Sequence, residues 1–112
     1  MTYLAMTRGD DRILTIQASD DLTGADVTFS AKRRLTDGDE DAIIRKFSSD
    51  GIELDTDTTI ALVSIDHADT VDVVHRVLHW DVQVIDDESK VHTVASGRLA
   101  IRPDVTQAGP GS

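Results

Sequence analysis

The histidines of this sequence are the residues that could hold a transition metal. His75 and His79 are four positions apart in a segment predicted to be a strand, so both would lie on one face. At about 3.3 Å per residue they would stand about 13 Å apart, whereas zinc needs each nitrogen within about 2.1 Å. His92 is expected on the neighbouring strand, opposite Gln83. Since no three histidines converge, we predict no metal centre and assign them to solvent or to a protein interface.

Carboxylates are the second group of side chains that could bind a metal ion. The acidic run 37–41 and the pair Asp55 and Asp57 offer oxygen ligands for a hard cation such as calcium. Neither segment has the ligand spacing or the terminal Glu of an EF-hand loop. We predict solvated loops at both places, with adventitious calcium as the alternative.

Nucleophilic catalysis has little support in the sequence. The chain has no cysteine and no Gly-x-Ser-x-Gly elbow, and Ser96-Gly97 falls inside a predicted strand, where glycine indicates a bulge. No phosphate-binding loop or dinucleotide fingerprint is present. The sequence therefore predicts a protein that is not an enzyme, with no catalytic residues and no cofactor.

Charge and hydropathy limit the partners of the chain. Its net charge of −10 repels phosphate backbones, and no segment approaches the ~20 apolar residues of a membrane span. We expect no nucleic-acid or membrane partner and, because residues 1–10 lack the apolar run of a signal peptide, synthesis in the host cytoplasm. Asp outnumbers Glu 18 to 3 and Arg outnumbers Lys 8 to 3. That bias fits either a GC-rich genome or a salt-loving host.

The elements that carry these residues are predicted to be strands. Val, Ile and Thr supply 32 of the 112 residues and Leu only 8, a balance that favours sheet. Residues 67–70 form the one predicted helical turn, with Asp66 as its N-cap. The sequence predicts an all-β, immunoglobulin-like β-sandwich of about seven antiparallel strands over residues 1–106, followed by a disordered tail at 107–112. The predicted strands are 12–18, 25–35, 42–48, 52–54, 58–65, 74–85 and 90–102.

The segment 74–85 has the clearest two-residue period. Its even-numbered apolar side chains, among them Trp80, are predicted to fill the core, and the indole N–H of Trp80 is expected to find a hydrogen-bond partner. The opposite face would present a set of polar and apolar side chains to a partner protein. These candidate interface residues are His75, Val77, His79, Asp81 and Ile85.

The last third of the sequence resembles a known group of viral proteins. Residues 80–87 read Trp-Asp-Val-Gln-Val-Ile-Asp-Asp, residues 91–101 end in Ser-Gly-Arg-Leu-Ala-Ile, and Pro-Asp-Val-Thr follows at 103–106. This pattern resembles the closing hairpin of immunoglobulin-like phage structural proteins, including the N-terminal domain of phage upper-baseplate proteins. Residues 22–33 look like the second strand of the same family, and the likeness spans most of 21–106.

The resemblance implies a virion protein of the baseplate, tail or head surface. Its partners would be other virion proteins, and it would assemble as a homo-oligomer about a symmetry axis. The baseplate proteins carry further domains after this one, whereas this sequence ends at Ser112, which fits a head decoration, turret or connector protein.

Two alternatives remain open at this point. A receptor- or glycan-binding module on the particle surface would need an exposed pair of aromatic side chains in the loops. A regulatory or inhibitor protein that mimics DNA would need aligned, exposed carboxylates on a monomer.

Overall fold

The computed structural model describes residues 2–34, 38, 42–73, 76–86 and 88–102. These form an all-β structure of two facing sheets, which confirms the predicted fold class. The predicted tail at 107–112 lies outside the described residues. The elements are β1 (Thr2–Thr7), β2 (Arg12–Gln17), β3 (Asp26–Lys32), β4 (Ile44–Phe47), β5 (Ile52–Leu54), β6 (Ile60–Ile65), α1 (His67–Thr70), β7 (Arg76–Ile85) and β8 (Val91–Arg102).

The strands divide unequally between the two sheets. A five-stranded sheet has the order β1-β8-β7-β3-β4, and a three-stranded sheet has the order β2-β6-β5. Their pairings are antiparallel except that of β1 with β8, which is parallel. The described residues contain eight strands, in keeping with the expected number of about seven, and the one departure is the parallel pairing of β1 with β8.

Strand β1 is absent from the sequence prediction, because it depends on a remote partner. Leu4 lies opposite Leu99 and Met6 opposite Ile101, and Met6 is buried. Among the described side chains of β1, Met6 is the one that is buried, so the segment shows no run of alternating buried positions. Its conformation therefore follows from pairing with β8 rather than from local pattern.

The core is made by alternate side chains of both sheets. Leu78, Trp80, Val82 and Val84 of β7 are all buried, as predicted from their period of two. The ring of Trp80 stacks on Phe29 of the adjacent β3, with centroids 5.9 Å apart and planes at 28°. The expected partner for the Trp80 indole is not found, since Nε1 is buried with no hydrogen-bond acceptor among the described residues. Apolar neighbours on the core face offer no acceptor to an inward-facing indole.

A bulge interrupts the β7–β8 ladder, but not where Gly97 predicts it. Gly97 pairs with Trp80 in continuous ladder, and the register shifts where Val82 opposes Ala95 and Gln83 opposes Thr93. The extra residue in β8 is therefore Val94, which is buried. A glycine in a strand is compatible with a bulge but does not require one.

The turn between β7 and β8 is longer than expected. The N–H of Asp86 donates to the carbonyl oxygen of Lys90, so Ile85 pairs with Val91. His92 consequently lies opposite Val84, not opposite Gln83. This shift of one residue places His92 beside Asp86, with 2.9 Å between its Nε2 and Asp86 Oδ2.

The predicted helical turn α1 is confirmed, with Asp66 as its N-cap. The backbone N–H of Asp66 donates to Asp69 Oδ2 at 2.8 Å, which satisfies a donor at the start of the turn. Lys46 of β4 pairs with the same carboxylate at 2.8 Å and so fixes α1 against the sheet. No helix in the described part of the chain has the length and apolarity to cross a membrane.

Candidate functional site

The outer face of the five-stranded sheet carries the candidate interface. Because the even-numbered residues of β7 fill the core, its odd-numbered residues point away from it. Val77, His79, Asp81 and Ile85 stand on this face, and His75 lies outside the described residues. We call this surface the β7 outer face: the outward side chains of β7 and of their register partners on β3 and β8.

Two rows of polar side chains cross the middle of the β7 outer face. In the first row, Lys32 of β3 lies opposite His79, which lies opposite Arg98 of β8. In the second row, Asp81 lies between Ser30 and Ser96. The rows are adjacent, so a carboxylate stands next to three basic side chains and reduces their mutual repulsion.

The two rows line a shallow cleft. Its volume is about 200 Å³, which is enough for one or two side chains of a partner protein. Ser30 is buried in its floor, while His79 and Asp81 are half-buried. The cleft presents hydrogen-bond donors and both signs of charge, so it is suited to polar recognition. The polar residues that line it are Ser30, Lys32, His79, Asp81, Thr93, Ser96 and Arg98.

Exposed apolar side chains stand at both ends of the cleft. Val77 is 41% exposed at one end. At the other end Ile85 is 42% exposed and its register partner Val91 is 59% exposed. The distance from residue 77 to residue 85 along β7 is about 26 Å at ~3.3 Å per residue. The β7 outer face therefore combines a polar centre with apolar ends over a length suited to a protein contact.

Sequence reasoning found the β7 residues of this face but not their neighbours. Lys32, Arg98 and Val91 become part of it through strand register. Register depends on which strands pair and on the length of the β7–β8 turn, and neither is visible in the period of a single strand. No local signal identifies these residues.

The arrangement of serine, histidine and aspartate on this face is not that of an activated nucleophile. No hydrogen bond joins the imidazole of His79 to the hydroxyl of Ser30 or Ser96 within the described ranges. A catalytic base must reach its nucleophile within about 3.2 Å. The searched part of the chain also brings together no group of three side chains able to hold a metal ion.

Several aspartate side chains stabilise turns by accepting hydrogen bonds from residues close in sequence. Asp57 Oδ1 accepts hydrogen bonds from the N–H and hydroxyl of Thr59, and Asp21 Oδ1 does the same with Thr23. These bonds hold the pKa of both carboxyls below the ordinary value. Asp55 accepts from the N–H of Thr56. The acidic run 37–41 lies outside the described residues except for Gly38.

The chain matches no protein-family profile, and no curated protein is significantly similar to it in sequence.

Proposed function

We propose that this chain is a structural protein of a tailed-virus particle that binds neighbouring virion proteins through the β7 outer face. The observation that carries the proposal is the composition of that face: a cleft lined by side chains of both charges, with Val77 at one end and the exposed Ile85–Val91 pair at the other. Protein interfaces combine apolar contact with about one hydrogen bond per 100–200 Å², and this surface offers both. Sheet faces also provide rigid docking surfaces, since a paired strand changes shape little on binding.

The strand order supports an immunoglobulin-like assignment. If β2 to β8 are lettered B, C, C′, D, E, F and G, the sheets read G-F-C-C′ and B-E-D. Immunoglobulin sandwiches place the G, F and C strands in one sheet and the B, E and D strands in the other. The resemblance of residues 80–101 to the closing hairpin of immunoglobulin-like phage proteins falls on β7 and β8, which form a hairpin.

The glycan-binding alternative is not favoured by the aromatic side chains. Phe29 and Trp80 are buried against each other. Phe47 is 38% exposed, and the guanidinium of Arg45 lies 5.1 Å from its ring centroid. A sugar platform needs an exposed pair of rings, and the side chains that the structure describes provide one partly covered ring.

The first test is to count copies of this chain in purified virus particles by quantitative mass spectrometry. Hundreds of copies would indicate a head decoration, and a handful would indicate a tail or baseplate component. Its absence from the particle would refute the proposal.

The second test asks whether the β7 outer face makes the contact. The variants Val77→Lys and Ile85→Lys should each leave the fold intact, because both side chains are well exposed, and should lower incorporation into particles and any self-association of the chain. Val71→Lys is the matched control, since Val71 is 49% exposed beside α1 and away from this face. Equal incorporation of all three variants would exclude the β7 outer face as the docking surface.

A further inference from the structure

Strand β2 has one edge along which no described strand pairs with it, and β8 meets this edge just past the end of β2, where the N–H of Ser19 donates to the carbonyl oxygen of Val94. Strand β2 pairs with β6 on one side and ends the three-stranded sheet on the other. The N–H of Ala18 donates to the carbonyl oxygen of Thr59, so hydrogen-bonded pairs with β6 fall on the even-numbered residues of β2. The N–H and C=O groups of Ile13, Thr15 and Gln17 therefore point toward the open edge.

The surroundings of this edge favour strand pairing. The sequence of β2, Arg-Ile-Leu-Thr-Ile-Gln, is rich in β-branched residues, and six residues give an edge of about 20 Å. Ile13 is 61% exposed on the outer side of the sheet, next to the half-buried Leu62. An exposed edge of this length and composition is a template for an added strand.

Carboxylates flank the edge at both ends. Asp10 and Asp11 precede β2, and Asp20 and Asp21 follow it, all with exposed side chains. Asp57 lies close enough to Asp21 for the two carboxylates to repel each other. An added strand must pass between these two acidic groups, which favours one that carries positive charge at its ends.

The same charges disfavour pairing of β2 with β2 of a second copy. In an antiparallel pair of two copies, the core-facing residues of both strands lie on the same side only when even-numbered residues face even-numbered ones and odd-numbered residues face odd-numbered ones. A two-fold axis at Thr15 gives such a register. That register places Asp10 of each copy opposite Asp20 of the other, so like charges meet at both ends of the new pair.

We propose that the open edge of β2 binds an extended segment of a partner protein as a fourth strand of the three-stranded sheet. The segment has alternating apolar side chains to pack against Ile13, and Lys or Arg at both ends to meet the flanking aspartates. This surface lies on the opposite sheet from the β7 outer face, and the proposal stands independently of the virion assignment.

The probe is the synthetic peptide Lys-Lys-Val-Thr-Val-Thr-Val-Lys-Lys, with a control in which glutamate replaces every lysine. Each peptide is titrated into the full-length, isotope-labelled chain and followed by amide NMR shifts and hydrogen exchange. The lysine peptide should shift and protect the amides of Ile13, Thr15 and Gln17, and its affinity should fall as salt rises from about 0.05 to 0.5 M. The glutamate peptide should bind at least about tenfold more weakly.

The variant Thr15→Pro tests the backbone contact. The Thr15 N–H points to the open edge, so proline removes a donor for the added strand without breaking the β2–β6 ladder. Binding of the lysine peptide should fall by at least about tenfold, while Thr15→Val, which keeps the N–H, should bind as the native chain does. Should Thr15→Pro fail to fold, the double variant Asp10→Asn with Asp20→Asn removes one flanking charge at each end of the edge and should weaken binding several-fold.

Three outcomes would overturn the proposal. The first is that neither peptide shifts the β2 amides, and the second is equal binding of the lysine and glutamate peptides. The third is that the chain alone sediments as a dimer, that the affinity of this dimer rises with salt, and that Thr15→Pro abolishes it. That result would show that the edge binds a second copy of the chain. None of these results depends on the particle incorporation of the Val77 and Ile85 variants.

Discussion

The side-chain oxygen of Thr70 accepts a hydrogen bond from the backbone N–H of Gly9, 2.9 Å away and 61 residues earlier in the chain. Thr70 is the last residue of α1 and is completely buried, while Gly9 lies in the turn between β1 and β2 with φ of +79°. This single bond joins the β1–β2 turn, which connects the two sheets near the N-terminus, to α1, which lies between β6 and β7. Two of the four connections between the sheets, β1–β2 and β6–β7, are therefore held together at one end of the sandwich.

Replacing Thr70 by valine should destabilise the fold by about 1–3 kcal/mol, because valine fills the same space but leaves the Gly9 N–H without its acceptor. Thr70→Ser is the matched control, since it keeps the hydroxyl and loses one methyl, at a cost of about 1 kcal/mol. Urea unfolding monitored by circular dichroism measures both. A valine variant at least as stable as the serine variant would show that the bond contributes nothing.

Replacing Trp80 by alanine should lower the free energy of unfolding by about 3–5 kcal/mol, because the residue is 3% exposed and stacks on Phe29. Trp80→Phe should cost clearly less, since it keeps an aromatic ring against Phe29 and removes an N–H that has no acceptor among the described residues. Val91→Ala, at a 59% exposed position, should change stability by less than about 0.5 kcal/mol. A loss below ~1 kcal/mol for Trp80→Ala would show that Trp80 is not part of the core.

Local pattern predicts the parts of this fold that depend on neighbours in sequence. The buried face of β7, the bounds of β5 and the helical turn after Asp66 follow from period, turn residues and capping. Strand β1, the bulge at Val94 and the pairing of His92 do not, because each depends on which distant residues face each other. The same division applies to the candidate site. Single-strand period identifies Val77 and Ile85, whereas sheet register brings in their partners.

Stability should fall on acidification below about pH 4, in part through Asp86. Its carboxylate accepts hydrogen bonds from the N–H of Lys90, from His92 and from the N–H of Glu88, which together lower its pKa. The unfolded chain therefore takes up this proton at a higher pH than the folded chain. The contribution to stability is complete above the unfolded pKa and is lost as pH falls through the folded pKa. Hydrogen bonds lower the pKa of Asp11, Asp21 and Asp57 also, with the same sign.

The variant Asp86→Asn isolates this contribution, because asparagine does not titrate. Its free energy of unfolding should depend less steeply on pH between about pH 5 and pH 2 than that of the native chain. His92→Gln removes the second-largest cause of the shift and should give an intermediate slope. Identical slopes for Asp86→Asn and the native chain would contradict the assignment.

Gly51 lies in the turn that connects β4 of one sheet to β5 of the other and has φ of +102°, where a side chain is strained. A Cβ at this position would also stand 2.7 Å from Cδ of Lys46, whose ammonium group is held by Asp69 of α1. Gly51→Ala should therefore destabilise the fold by about 1–3 kcal/mol, since it adds backbone strain and displaces Lys46 from its ion pair. Gly24→Ala is the matched control, because Gly24 has φ of +74° and nothing within 4 Å of an added Cβ.

The share of that loss caused by Lys46 can be separated with a double-mutant cycle. In a Lys46→Ala background the Lys46 side chain beyond Cβ is gone, so Gly51→Ala should cost less than in the native chain, by about 0.5–1 kcal/mol. The cost that remains is the strain of the left-handed backbone and should approach that of Gly24→Ala. An unchanged cost of Gly51→Ala in the two backgrounds would assign the whole effect to the backbone and none to the contact with Lys46, which links this turn to α1.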